Sequence, residues 1–200
     1  MQGPSYSRAL RSRTSLVLGI AFVFGATALF GLVYALGRLV GVTDLPIGWR
    51  IGLGATGLLT LAAIDVRATR KSTYCPLSWR RQTPKALMHE HSATFVAAVW
   101  GFDTGLAITT VRVAAITWGA ILLTGLGLSV WFTGLGYGLG FAVPFVVLLW
   151  THRVGRASRS PSPVDPGLEA MLARRRPMQA VSATVLSVGS VILAGLIVVS

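Results

Sequence analysis

Negative charge is nearly missing from this chain: its 200 residues include six Asp and Glu against 18 Lys and Arg, and only 12% are charged at all. That is too little polar sequence to coat a soluble globule, and with 53% hydrophobic residues and a mean hydropathy of +0.68 the expected main solvent is lipid. Cysteine is limited to Cys75, which excludes an intrachain disulfide and any CxxC or multi-Cys zinc motif. Lysine is almost absent too, since 16 of the 18 cations are Arg, the usage expected of a GC-rich bacterial genome.

The net charge of +12 is not spread evenly. Arg8, Arg11 and Arg13 precede the first apolar run; Arg67, Arg70, Lys71, Arg80, Arg81 and Lys85 form a second cluster; Arg153, Arg156, Arg159, Arg174, Arg175 and Arg176 form a third. No stacking aromatics are interleaved with a basic groove, so nucleic acid is not an expected partner. The lipid bilayer and its anionic headgroups are. The positive-inside rule places all three clusters in the cytoplasm, with the protein in the bacterial inner (plasma) membrane and its N-terminus inside.

Apolar runs of about 20 residues match a hydrocarbon layer roughly 30 Å thick. They predict an all-α, polytopic helical membrane bundle: a cytoplasmic tail over 1–14, then one transmembrane domain over 15–200 with cytoplasmic loops at about 65–91 and 152–177. The first span is expected over about Ser15–Val40 and the second over about Ile47–Ile64, with Trp49 as an interfacial anchor. Residues Ser92 to about Trp150 lie between two basic loops on the same side, so an even number of crossings is required there. Two are assigned. The earlier, about Ser92–Leu126, is overlong and holds Asp103, Arg112 and a Gly101-Phe102-Asp103-Thr104-Gly105 segment, which predicts a broken or re-entrant helix. The later, about Leu128–Trp150, is rich in glycine and contains Pro144, which predicts a thin, kinked helix. A short interfacial helix over Leu168–Arg176 and a last span over about Met178–Val199 complete five crossings.

Three stretches carry a family resemblance: Gly19-Ile20-Ala21-Phe22-Val23-Phe24-Gly25, the interrupted region from Trp100 to Thr117, and Tyr137-Gly138-Leu139-Gly140-Phe141-Ala142-Val143-Pro144-Phe145. Their order resembles the CcdA-type cytochrome c biogenesis proteins and the transmembrane domain of DsbD, relatives of the LysE exporters. The resemblance implies a scaffold of two inverted three-helix repeats. It also implies an electron relay through paired cysteines on the first and fourth spans. Residues 1–14 are too short and polar to be expected as a counterpart of the family's first span, and Ala107 to Val113 has Ala, Ile, Thr and Val where the fourth-span cysteine would lie. Thiol–disulfide exchange needs an attacking thiolate and a second sulfur, so one cysteine cannot run the relay alone.

Ionisable groups at membrane depth are costly enough to be candidate sites, and Asp103 and Arg112 are the two that the predicted spans enclose. Nine residues of straight helix would put them on opposite faces about 13.5 Å apart in rise, so direct pairing requires a break. Thr104, Thr109 and Thr110 are placed with them along a candidate solute path, and Thr117 beside it; the alternative for such threonines is a bond to the preceding turn. Cys75 precedes Pro76 and lies near Arg80 and Arg81, cations expected to favour a thiolate, which makes it a candidate thiol for a partner protein. His89-Glu90-His91 lacks the i, i+4 spacing of a helical metal pair, and no metal or cofactor is assigned. These residues point away from enzymatic chemistry. The expected role is transport, or an accessory role in redox or envelope assembly, on a CcdA-like scaffold without its own dithiol relay. The alternatives are a LysE-type exporter of a small solute or ion, and a structural subunit whose missing helix packing comes from a protein partner or a second copy.

Overall fold

The computed structural model describes residues 4–71, 73, 75–77, 91–106, 114–151 and 175–199, and within them the secondary structure is entirely helical. The helices are α1 (Pro4–Leu39), α2 (Ile47–Lys71), α3 (Ala93–Gly105), α4 (Ile116–Gly125), α5 (Thr133–Thr151) and α6 (Arg175–Val199), with one 3-10 turn at Val42–Asp44. Among the described residues, three segments are long and apolar enough to cross a membrane: Arg13–Leu39, Ile47–Lys71 and Arg175–Val198.

Several boundaries differ from those expected. Helix α1 reaches back to Pro4, into the stretch read as a tail. Helix α2 continues seven residues past Ile64, so Asp65 is not the start of a loop. Its last turn carries Arg70 and Lys71, cations that suit the negative end of a helix dipole. The stretch from Ser92 to Leu126 holds two short helices, and Gly101-Phe102-Asp103-Thr104-Gly105, expected to mark a break, lies in the last turns of the first of them, while 107–113 are outside the described residues. Helix α3 ends at Gly105 with Leu106 as its C-cap, and α4 begins only at Ile116. At 13 and 10 residues they are about 20 and 15 Å long, so neither alone spans the hydrocarbon layer. Helix α5 starts at Thr133 rather than Leu128, after a turn in which Gly127 has φ of 64°, and it continues through Pro144. Leu168–Arg174, part of the expected interfacial helix, lies outside the described residues.

The chain divides into two compact units made of interleaved segments. The first comprises Met1–Leu29, Arg80–Thr110 and Gly134–Pro161; the second comprises Phe30–Trp79, Val111–Thr133 and Ser162–Ser200. In the first unit, Phe22 and Ala26 of α1 form a core with Ala142 of α5, flanked by Val23 and Tyr137. The Phe22 ring stacks on Phe141 at 4.4 Å between centroids. On α3, Gly101 and Gly105 lie one turn apart and let its backbone approach that of α1. A Cβ at Gly101 would strike the Leu18 carbonyl, and one at Gly105 the Phe22 carbonyl. This small-xxx-small contact is the usual device for close helix packing in lipid.

In the second unit, α2 packs along α6, and α4 contacts both. The buried positions of α2 are Ile51, Gly54, Ala55, Leu58, Leu61, Ala62, Asp65 and Ala68, steps of one and three residues that make a single stripe. Leu58, Leu61 and Ala62 of that stripe meet Ala115 and Leu186 in one core, with Trp118, Leu123 and Leu193 at its margin. Helix α6 is inverted relative to a helix in water. Gln179, Ser182 and Ser190 are buried, while Val181, Val185, Val188 and Ile192 are exposed. A polar face turned inward is the arrangement a hydrocarbon solvent selects, because lipid cannot satisfy hydroxyl and amide groups. Ser190 does so by donating to the Ala55 carbonyl at 2.8 Å.

Candidate functional site

The polar centre of the second unit is Asp65, whose relative exposure is 0%. It occupies the core stripe of α2 because the 3.6-residue period that buries Leu58, Leu61 and Ala62 brings the next turn to the same face. Both carboxylate oxygens accept from the Ala115 backbone N–H, at 3.0 and 2.9 Å, and Oδ2 also accepts from the Ser182 hydroxyl at 2.5 Å. Ala115 is the N-cap of α4 and has no side-chain oxygen with which to cap its own helix. Asp65 therefore serves that helix start from another helix. A carboxylate is well suited there, since the N-terminal end of a helix carries partial positive charge. One group thus ties α2, α4 and α6 together.

A second layer adjoins it. Fully buried Gln179 donates its side-chain amide to the Thr73 carbonyl at 2.9 Å, and its Oε1 lies 3.4 Å from the Thr69 hydroxyl. Thr69 also donates to the Asp65 carbonyl at 2.8 Å. Cys75 packs in the same core at 2% exposure. Burial pushes its thiol above the ordinary cysteine value; a Leu77 backbone hydrogen bond opposes this and the nearby Asp65 charge adds to it. Cys75 sits as a buried thiol, and Arg80 and Arg81, the cations expected to favour a thiolate, lie outside the described residues. Trp118 Nε1 and Arg50 Nε are buried with no hydrogen-bond partner among the described residues.

The sequence-based candidates fall elsewhere. Asp103 is half-buried in the last turn of α3, in the first unit, and has interactions of its own. Thr104, next to it, donates to the Trp100 carbonyl at 2.7 Å, the bond to the preceding turn weighed for such threonines. Thr117 is buried in α4 and is also engaged. Thr109, Thr110 and Arg112 lie outside the described residues, as do His89 and Glu90. His91 is exposed and packs its ring 4.8 Å from that of Phe95. Among the described residues no three His, Cys, Asp or Glu side chains gather as metal ligands.

One expectation is corrected outright. Asp103 and Arg112 are not the only ionisable residues enclosed by spans, because Asp65 is buried within the apolar segment Ile47–Lys71. The signal was present in the period of α2, which carries its core stripe through Asp65 to Ala68. Reading the first charged residue after an apolar run as the start of a loop concealed it. Comparison with known proteins adds no relative: no family model, no curated protein and no solved structure matches the chain.

Proposed function

We propose that the chain is a multi-pass protein of the bacterial inner membrane that carries a small solute or ion, and that Asp65 is the working polar group of its second unit. The observation that supports this is a carboxylate withdrawn from the surface on a helix able to span, with a backbone amide and a serine hydroxyl as its hydrogen-bond donors among the described residues. An acid at membrane depth is costly and marks solute or proton paths more often than packing sites. Transporters commonly place such groups at the ends of interrupted helices, and α4 is a short helix within an apolar stretch. In this reading α3 and α4 together make one of five crossings, and the CcdA-like scaffold works without a dithiol relay of its own.

The test is charge movement in proteoliposomes on a solid-supported membrane, challenged in turn with monovalent cations and basic amino acids. At least one should give a current, reduced about tenfold or more in Asp65→Asn. Asp103→Asn in the same assay examines the path first drawn through Asp103, Thr104, Thr109, Thr110 and Arg112. Loss in that variant with none in Asp65→Asn would move the site to the first unit. Absence of current with every probe, in folded protein, would sink the transport reading.

An accessory role is favoured by a different observation. Helices α1 and α5 of the first unit border an apolar groove of about 600 Å³, walled by residues such as Leu16, Ile20, Val23, Leu139 and Val143. A helix from a partner or a second copy would fill it, and a stable dimer or complex of fixed mass in mild detergent is the expected result. The topology is tested separately. In a Cys75→Ser background, Thr73→Cys, at an exposed position, and Ser160→Cys should react with impermeant maleimide only from the cytoplasmic side. Labelling of either from outside would overturn the orientation, which rests on fifteen of the 18 Lys and Arg residues.

A further inference from the structure

We infer that Asp65 is a proton-binding site, and that its proton decides whether the start of α4 is held to α2 and α6. This deepens the transport reading and rests on it for its purpose, by naming the proton as the coupling ion. The geometry supports it in three ways. Among the described residues, every hydrogen-bond partner of the carboxylate is a donor: the Ala115 N–H to both oxygens and the Ser182 hydroxyl to Oδ2. A proton on either oxygen turns an acceptor into a donor and removes part of that set. The group holds three helices at once, so losing its acceptor capacity acts on their junction rather than on one surface. And α4 has no side-chain cap of its own to replace it.

Few other described groups compete for the proton. Helix α4 contributes no titratable side chain, and the segment after α2 contributes Cys75. Helix α6 opens with Arg175 and Arg176, two turns before Ser182 and engaged in contacts of their own. Arg67, Arg70 and Lys71 of α2 itself are exposed.

The experiment is hydrogen exchange by mass spectrometry on the full chain in lipid nanodiscs, read at the peptide covering Ala115–Trp118. Exchange is expressed as protection relative to the unfolded rate at the same pH, which removes the intrinsic pH dependence. Wild-type protection should fall about tenfold from about pH 8 to about pH 5, while the peptide at the middle of α2 stays protected. Asp65→Asn, which cannot take up the proton, should give the same protection at both pH values. Ser182→Ala keeps the carboxyl and should keep the acid-dependent fall, so the inference stays testable if Asp65→Asn does not fold. Protection in wild type that is indifferent to pH would overturn the inference, and so would an acid-dependent fall that survives in Asp65→Asn. Neither outcome involves solute, so a failed switch leaves the current assay to judge transport, and absent currents with an intact switch would count against transport alone.

Discussion

Asp65→Leu is expected to destabilise the protein by about 2–4 kcal/mol, because it strands two buried donors, the Ala115 N–H and the Ser182 hydroxyl. Each stranded donor costs roughly 1–3 kcal/mol in a dry interior, and the lower part of that range applies where lipid-embedded hydrogen bonds are weak. The opposing effect is that leucine removes the cost of burying the acid, and such replacements of buried ion pairs are sometimes stabilising. Here the partners are uncharged and remain in place, so the loss should prevail. Asp65→Asn retains an acceptor of the same shape and should cost only about 1 kcal/mol, as should Ser182→Ala. Unfolding in mixed micelles with increasing denaturing detergent measures all three. A leucine variant as stable as wild type would show that the node is not what joins α2, α4 and α6.

Gly101→Ala and Gly105→Ala should each cost about 1–3 kcal/mol, although alanine is the better helix former by about 1 kcal/mol. The new methyl groups would meet backbone carbonyls of α1, at Leu18 and Phe22, and a carbonyl in a helix cannot rotate aside as a side chain can. The two helices must separate instead. Gly136 and Gly140 of α5 form the same spacing but face open space, with nothing within 4 Å of an added Cβ. Alanine there should be neutral or stabilise by up to about 1 kcal/mol. The same unfolding assay separates the pairs, and four equal effects would contradict the close approach of α1 and α3.

Hydropathy located the three long spans because a lipid solvent imposes length and apolarity locally, residue by residue. It also showed the stretch from Ser92 to Leu126 to be too long for one straight span, and two short helices lie there among the described residues. The polar node was harder to read, because the donors of Asp65 lie 50 and 117 residues away in sequence. Only the helical period of α2 hinted at it, and the cations at Arg67, Arg70 and Lys71 suggested water instead. Gly101 and Gly105 were taken as chain breakers when the same spacing also makes a packing stripe. Which applies depends on whether a neighbouring backbone lies against them, and here α1 does. The end of α2 and the start of α5 also differ from the hydropathy reading: α2 runs on through Arg70 and Lys71, and a turn with Gly127 at positive φ precedes α5.

The inverted face of α6 has a consequence for biosynthesis. Ribosomes deliver α2 and α4 to the bilayer before α6, so for part of its synthesis the nascent chain holds Asp65 without the Ser182 hydroxyl, and its Thr73 carbonyl without Gln179. That unfinished intermediate carries a costly acid, short of one of its donors, on an otherwise apolar helix. Closure by α6 is then a maturation step, and C-terminal fusions that slow its insertion should lower the yield of the whole protein.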